Sequence, residues 1–172
     1  MSKKYLVIIA TFFTFYLGAA QPRTIMNKIN YDDLIILDAE NLAEQGINEA
    51  YEELIEILRI YVKIPEGLTE NLDNNLPSYS VTSRTHTYAI YGGELPDDEG
   101  QSWGRATYAL FSIVNEQLKN TKMKLYAING GNELGGLFLT QEQYGQAIAT
   151  IERKTDWPYI PTEEHPWYGQ PH

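Results

Sequence analysis

The sequence predicts a single α+β domain, with helices packed on a small, mostly antiparallel sheet and an irregular, Pro/Trp-rich C-terminal tail. Two observations carry that prediction. The 172 residues are 43% hydrophobic, enough apolar material for one core and about the length of one domain. The periodicities then run helix, strand, helix, strand, strand, helix with no internal repeat, the pattern of helices laid on a short-strand sheet.

Residues 1–20 read as an export signal. Lys3 and Lys4 form a basic start, Tyr5 to Leu17 is apolar, and Gly18, Ala19 and Ala20 supply the small side chains a signal peptidase needs before Gln21. Thirteen apolar residues span only ~20 Å as a helix, short of the ~30 Å hydrocarbon core, which favours a cleaved leader over an anchor. An Ala-Gln junction of this kind resembles Gram-negative export signals and implies a periplasmic or secreted protein of the cell envelope. No later segment is long and apolar enough to span a bilayer. The domain reading is therefore a leader at 1–20, an α+β domain at 21–154 and a tail at 155–172 packed on that domain.

Within the domain, Gln21 to Asp33 is a polar lead-in. Asp33 to Leu37 is a short apolar run, either a buried strand or the approach to a helix. From Asp38, a good N-cap, Ala43, Ile47, Ala50, Leu54, Leu58 and Tyr61 recur at helical steps, with glutamates on the other faces. Gly46 costs roughly 1 kcal/mol there, so a break near it is expected; Pro65 and Gly67 end the element. Leu68 to Pro77 reads as a turn-rich connector, and Ser78 to Tyr91 as one strand with a buried face. Gly92 to Gly100 is an acidic loop. Ser102 to Asn120 is the strongest helix, with Ser102 as N-cap and a stripe of Trp103, Ala106, Leu110, Phe111, Val114 and Leu118. Met123 to Ile128 and Leu134 to Leu139 are strands around an Asn/Gly turn. Thr140-Gln-Glu-Gln143 has capping-box spacing and opens a helix through about Arg153.

Composition excludes several chemistries. With no cysteine, disulfides, thiolate metal sites and a thiol nucleophile are absent. A formal charge of −10 argues against nucleic acid, whose phosphates need a cationic face. Loss of the leader removes two lysines and no acid, leaving 11 basic against 23 acidic residues, a net of −12. Gly100-Gln-Ser-Trp-Gly104 spells G-x-S-x-G, but an acidic loop precedes it where a nucleophile elbow needs a strand. Gly130, Gly131, Gly135 and Gly136 lie in a hairpin without the lysine of a phosphate-binding loop. The acids of the 94–99 loop are adjacent, without the alternate spacing of a calcium loop. No metal and no cofactor is expected; His165 with Glu163 and Glu164 forms the one weak metal candidate, and it lacks any paired-histidine spacing.

Tyr126-Ala-Ile-Asn-Gly-Gly-Asn-Glu-Leu-Gly-Gly-Leu-Phe-Leu-Thr140, between two amphipathic helices, resembles a turn and strand of immunity proteins from bacterial polymorphic-toxin systems. The resemblance implies a small α+β domain that binds and blocks a cognate toxin without chemistry of its own. An acidic, exported chain suits such an inhibitor, since it would steer towards a basic protein partner. The residues expected to meet that partner are Asp97, Asp98 and Glu99 of the acidic loop, Asn129, Asn132 and Glu133 of the turn, and Trp157, Tyr159, Trp167 and Tyr168 of the tail, where aromatics offer large contact area. The alternative is a small secreted hydrolase or metal-dependent enzyme using His165 or His86 with nearby carboxylates.

Overall fold

A computed structural model describes residues 29–84, 86–96 and 98–172. The export segment at 1–20 and the acidic-loop residue Asp97 lie outside the described residues. Among the described helices none is long and apolar enough to cross a membrane.

The fold is α+β, and its strands divide between two three-stranded antiparallel sheets. The first has the order β1 (Ile35–Ile36), β6 (Gly135–Thr140), β5 (Met123–Ile128), with Met123 opposite Thr140 and Ile128 opposite Gly135. The second is the meander β2 (Leu68–Asp73), β3 (Ser78–Ser83), β4 (His86–Tyr91). Two sequence expectations are corrected here. Leu68 to Pro77 is not a connector: its first six residues form β2, paired along their length with β3. Ser78 to Tyr91 is not one strand but two, folded back at Arg84, which takes φ 51°.

Asp38 caps α1 (Ala39–Asn41), its carboxylate accepting from the amides of Glu40 and Asn41 at 2.9 and 3.1 Å. The helix then breaks across Leu42–Gly46, where Gln45 adopts φ 75°, and resumes as α2 (Ile47–Leu58). Glycine is required at the break, because a Cβ on Gly46 would lie 2.5 Å from the Asn41 carbonyl oxygen. Next, α3 (Glu99–Gln117) packs on β4 and β5. Its cap is Asp98, which accepts from the Gln101 amide at 3.1 Å; Ser102, expected in that role, lies inside the helix and donates to the Glu99 carbonyl at 2.7 Å. α4 (Gln141–Thr150) opens with the expected capping box of Thr140 and Gln143.

One core joins both sheets. Ile47, Tyr51, Leu54 and Leu58 of α2 meet Tyr79, Val81 and Ile90 of the meander and Leu110, Phe111 and Val114 of α3, all at most 1% exposed. Leu125 and Ala127 of β5 belong to this core, whereas Tyr126 and Ile128 face a smaller cluster under α4 with Leu137, Leu139 and Ala147. The first sheet is thus covered on both faces, which accounts for its unbroken apolar runs. Asn115 locks α3 to it, donating from Nδ2 to the Leu125 carbonyl at 2.9 Å and accepting the Leu125 amide at Oδ1 at 2.8 Å.

The last residues lie along this frame. Tyr159 and Ala127 exchange two backbone hydrogen bonds at 2.8 and 2.9 Å, at the edge of β5, and the Tyr159 hydroxyl donates to the Asn129 carbonyl at 2.8 Å. The Trp157 indole donates to the Ile151 carbonyl at 2.8 Å. The Tyr168 ring presses on Gly104 in α3.

Candidate functional site: an acidic end and an aromatic cleft

Three segments distant in sequence meet at the start of α3. The turn Gly131–Glu133 approaches Trp103, with a Cβ on Gly131 lying 3.9 Å from its ring. Gln170 of the tail closes on Gly130 at 3.0 Å from where a Cβ would stand. Asp98, Glu99, Asn132, Glu133 and Trp167, all singled out from sequence, are exposed around this junction or on the segments that form it. Trp167 is 52% exposed and stacks on His172 at 4.6 Å. Asn129 is half-buried at φ 56°, its carbonyl held by Tyr159.

The other aromatic candidates turn inward. Tyr159 and Tyr168 are 7% and 8% exposed, and Trp157 is half-buried against the end of α4. Their rings fix the tail to the domain. Burial raises the Tyr168 phenol above its ordinary pKa, while the nearby Arg105 opposes that shift. Arg105 also donates to the carbonyls of Ile90 at 2.5 Å and Pro96 at 3.3 Å, so one guanidinium ties β4 to the loop that precedes α3.

Beside this junction, the break in the first helix and the start of α3 enclose a hollow of about 500 Å³ lined by Ala43, Glu44, Gln45, Tyr91, Glu99, Ser102 and Trp103. Two carboxylates and two aromatic rings line it, with no cation among these residues. Gln45 donates to the Tyr91 hydroxyl at 3.3 Å, an effect of its left-handed backbone, which turns the side chain towards β4. Sequence reasoning named Glu99 but missed Glu44, Tyr91 and Trp103. The signal available was the break at Gly46, which swings Glu44 out of the helix face.

A second cleft lies between β4, α3 and the tail. His86 and His165 both line a hollow of about 370 Å³ there, with Glu163, Arg105, Tyr88 and Tyr108. Glu164 does not line it. The His86 ring lies tilted at 49° against Tyr88 with ring centres 4.3 Å apart, and Tyr88 meets Tyr108 edge to face at 5.9 Å. Burial, then Tyr108, pushes the Tyr88 phenol up to about 12. Among the described residues, no three His, Asp or Glu side chains gather closely enough to share a metal ion.

Compared with models of protein families, with curated proteins and with solved structures, the chain matches none.

Proposed function

We propose that this chain is an exported acidic binding protein of the immunity type, which captures a basic protein toxin at the acidic end and blocks it by occupying its surface. The observation that carries this reading is the 500 Å³ hollow lined by Glu44, Glu99, Tyr91 and Trp103, with no cation among the described residues that line it. A lysine or arginine entering it gains a carboxylate partner and an aromatic face together, a pairing typical of binding hot spots. The exposed Asp98, Glu133 and Trp167 extend the contact towards the roughly 800 Å² per partner of an ordinary stable interface. Export would put the inhibitor where a wall- or membrane-directed toxin works.

The test is a pull-down of the full chain with the product of the adjacent gene, followed by association kinetics on any complex. Glu44→Gln with Glu99→Gln is expected to lower affinity by about tenfold or more, mostly through slower association and with a weaker salt dependence. Trp103→Ala should act mainly on dissociation. No complex at low or moderate salt, or a complex indifferent to both variants, refutes the reading.

A second reading, a small secreted hydrolase, is favoured by one observation: His86, His165 and Glu163 share a cleft. It requires that His86→Ala and His165→Ala each abolish a measurable hydrolysis of an ester, peptide or glycoside panel. Activity that survives both substitutions excludes it.

A further inference from the structure

A hollow beside the C-terminal half of α3 differs in electrostatic character from the acidic end. It measures about 780 Å³, inside the ~300–1,000 Å³ range of small-ligand sites. The turn after β3, the C-terminal half of α3 and the start of β5 form its walls. Of the chain's 13 lysines and arginines, Arg84, Lys119 and Lys124 line it, and Lys122 lines an adjoining hollow that shares Lys124. Its two acids are already neutralised. Glu66 lies 2.6 Å from Arg84 Nε and accepts from the Ser83 hydroxyl at 2.9 Å; Glu116 pairs with Lys119, which holds the Glu116 carboxyl below its ordinary pKa. Three cations against two acids leave this lining at +1 in a chain of net −10, with Lys124 the lining cation that has no ion-pair partner among the described residues.

Part of this charge needs no ligand to explain it. Lys119 stands just beyond the C-terminus of α3, where the helix dipole favours a cation. That account does not reach Arg84, which comes from the hairpin turn, or Lys122 and Lys124, which come from the approach to β5 and the strand itself. Arg84 Nε stands 2.6 Å from the Glu66 carboxylate as an ion pair, without the geometry of a hydrogen bond to that oxygen, and the Arg84 side chain is 65% exposed. Glu66 in turn is fixed from behind. Its side chain is 10% exposed, its amide donates to the Gln117 Oε1 at 2.8 Å, and its carbonyl accepts from the Tyr51 hydroxyl at 2.7 Å. The buried Glu66 therefore holds a cation at the rim of the hollow while offsetting part of its charge, and the fork of Arg84 suits a planar carboxylate.

The remaining lining suits a ring that bears hydroxyls. His86, Tyr88 and Tyr108 form a connected aromatic wall. Because Tyr88 and Tyr108 cross at 68°, they make a corner, which a puckered ring fills and a flat base stacked between parallel rings does not. Tyr88, Tyr108 and Ser112 bring hydroxyls, which can donate and accept, to this lining. A long polyanion is disfavoured by the net charge of the chain, whereas a short anionic ligand needs only the local patch.

We infer that this hollow is a binding site for an acidic oligosaccharide, with Arg84 and Lys124 on the sugar's carboxylate and the Tyr88–Tyr108 corner against the pyranose ring.

The inference is tested by titrating the full chain, in a calorimeter, with short oligomers of galacturonic acid, of glucuronic acid and of N-acetylmuramic-acid-containing glycan. Neutral galactose oligomers, AMP and inorganic phosphate serve as comparisons. At least one acidic oligomer is expected to bind saturably and the neutral oligomers not at all. Arg84→Gln, Lys124→Glu and Tyr108→Ala should each weaken binding about tenfold or more. Lys124 is exposed and has no ion-pair partner among the described residues, so its variant reports on binding even where Arg84→Gln disturbs the Glu66 pair. Failure of every acidic oligomer to bind overturns the assignment. So does binding of AMP or phosphate with equal affinity, or an acidic-oligomer affinity unchanged by Lys124→Glu.

Discussion

Gly104 shows how one residue can mislead as a letter and be explained as a shape. In sequence it closes a G-x-S-x-G string, the spelling of a nucleophile elbow. In the fold it lies inside α3, and a Cβ there would stand 2.2 Å from the Tyr168 ring. A glycine inside a helix costs about 1 kcal/mol against alanine, so it persists where something else occupies the space. Gly104→Ala should therefore lower stability by about 1–3 kcal/mol in urea unfolding, the usual scale of overpacking, in place of the gain expected at an open helix position. Combining it with Tyr168→Ala should cost less than the two changes summed, because the second removes the clash made by the first. A stabilised Gly104→Ala chain would show that the tail does not press on α3. The same ring-to-helix contact explains why Tyr168, a sensible surface candidate by residue type, is 8% exposed.

At the scale of elements, the start of α3 gives the sharpest test. Asp98 accepts the Gln101 amide, whereas Ser102 is three residues inside and only back-bonds to a carbonyl of its own helix. Asp98→Ala should then cost about 1 kcal/mol, and Ser102→Ala a few tenths at most, measured as shifts in thermal midpoint. Equal effects would return the cap to Ser102. Elements whose signals are local were legible: the Asp38 cap, the break at Gly46, the Thr140–Gln143 box and the span of β5. β2 was not legible, because its inward position 70 is a glutamate. The Glu70 carboxylate is satisfied by the Tyr79 hydroxyl at 2.6 Å and the Asn48 amide at 3.2 Å, partners contributed by β3 and α2. A charged residue at a half-buried inward position erases the alternation that marks a strand, and tertiary contacts make it tolerable. The fold at Arg84 was hidden for a related reason, since neither an Asn-Gly nor an Asp-Gly pair announces the turn.

For the whole molecule, the candidate site was half legible. Charge and residue type drew attention to Asp98, Glu99 and Glu133, but Glu44 and Trp103 meet only because the first helix breaks and packs on α3. The tyrosines of the core give the property that tests this packing globally. Thirteen tyrosines are present, and burial is the leading cause of raised phenol pKa values at Tyr51, Tyr79, Tyr88, Tyr126, Tyr159 and Tyr168. Tyr159 reaches about 12, and Tyr79, pressed further by Glu70, lies higher still. An unfolded tyrosine ionises near 10, so above that pH the unfolded chain holds fewer protons than the folded one and stability must fall as pH rises. The contribution is fully present below about pH 10 and, for Tyr159, lost by about pH 12, with a slope of up to about 1.4 kcal/mol per pH unit per buried group. Urea midpoints measured through the alkaline range should decline over that interval while phenolate absorbance of the folded chain lags behind that of the unfolded chain. Tyr159→Phe removes one titrating group together with its bond to the Asn129 carbonyl. It should start from lower stability at neutral pH and lose it less steeply above pH 10; a decline as steep as that of the parent would mean that Tyr159 is open to solvent and that the tail does not close the edge of β5.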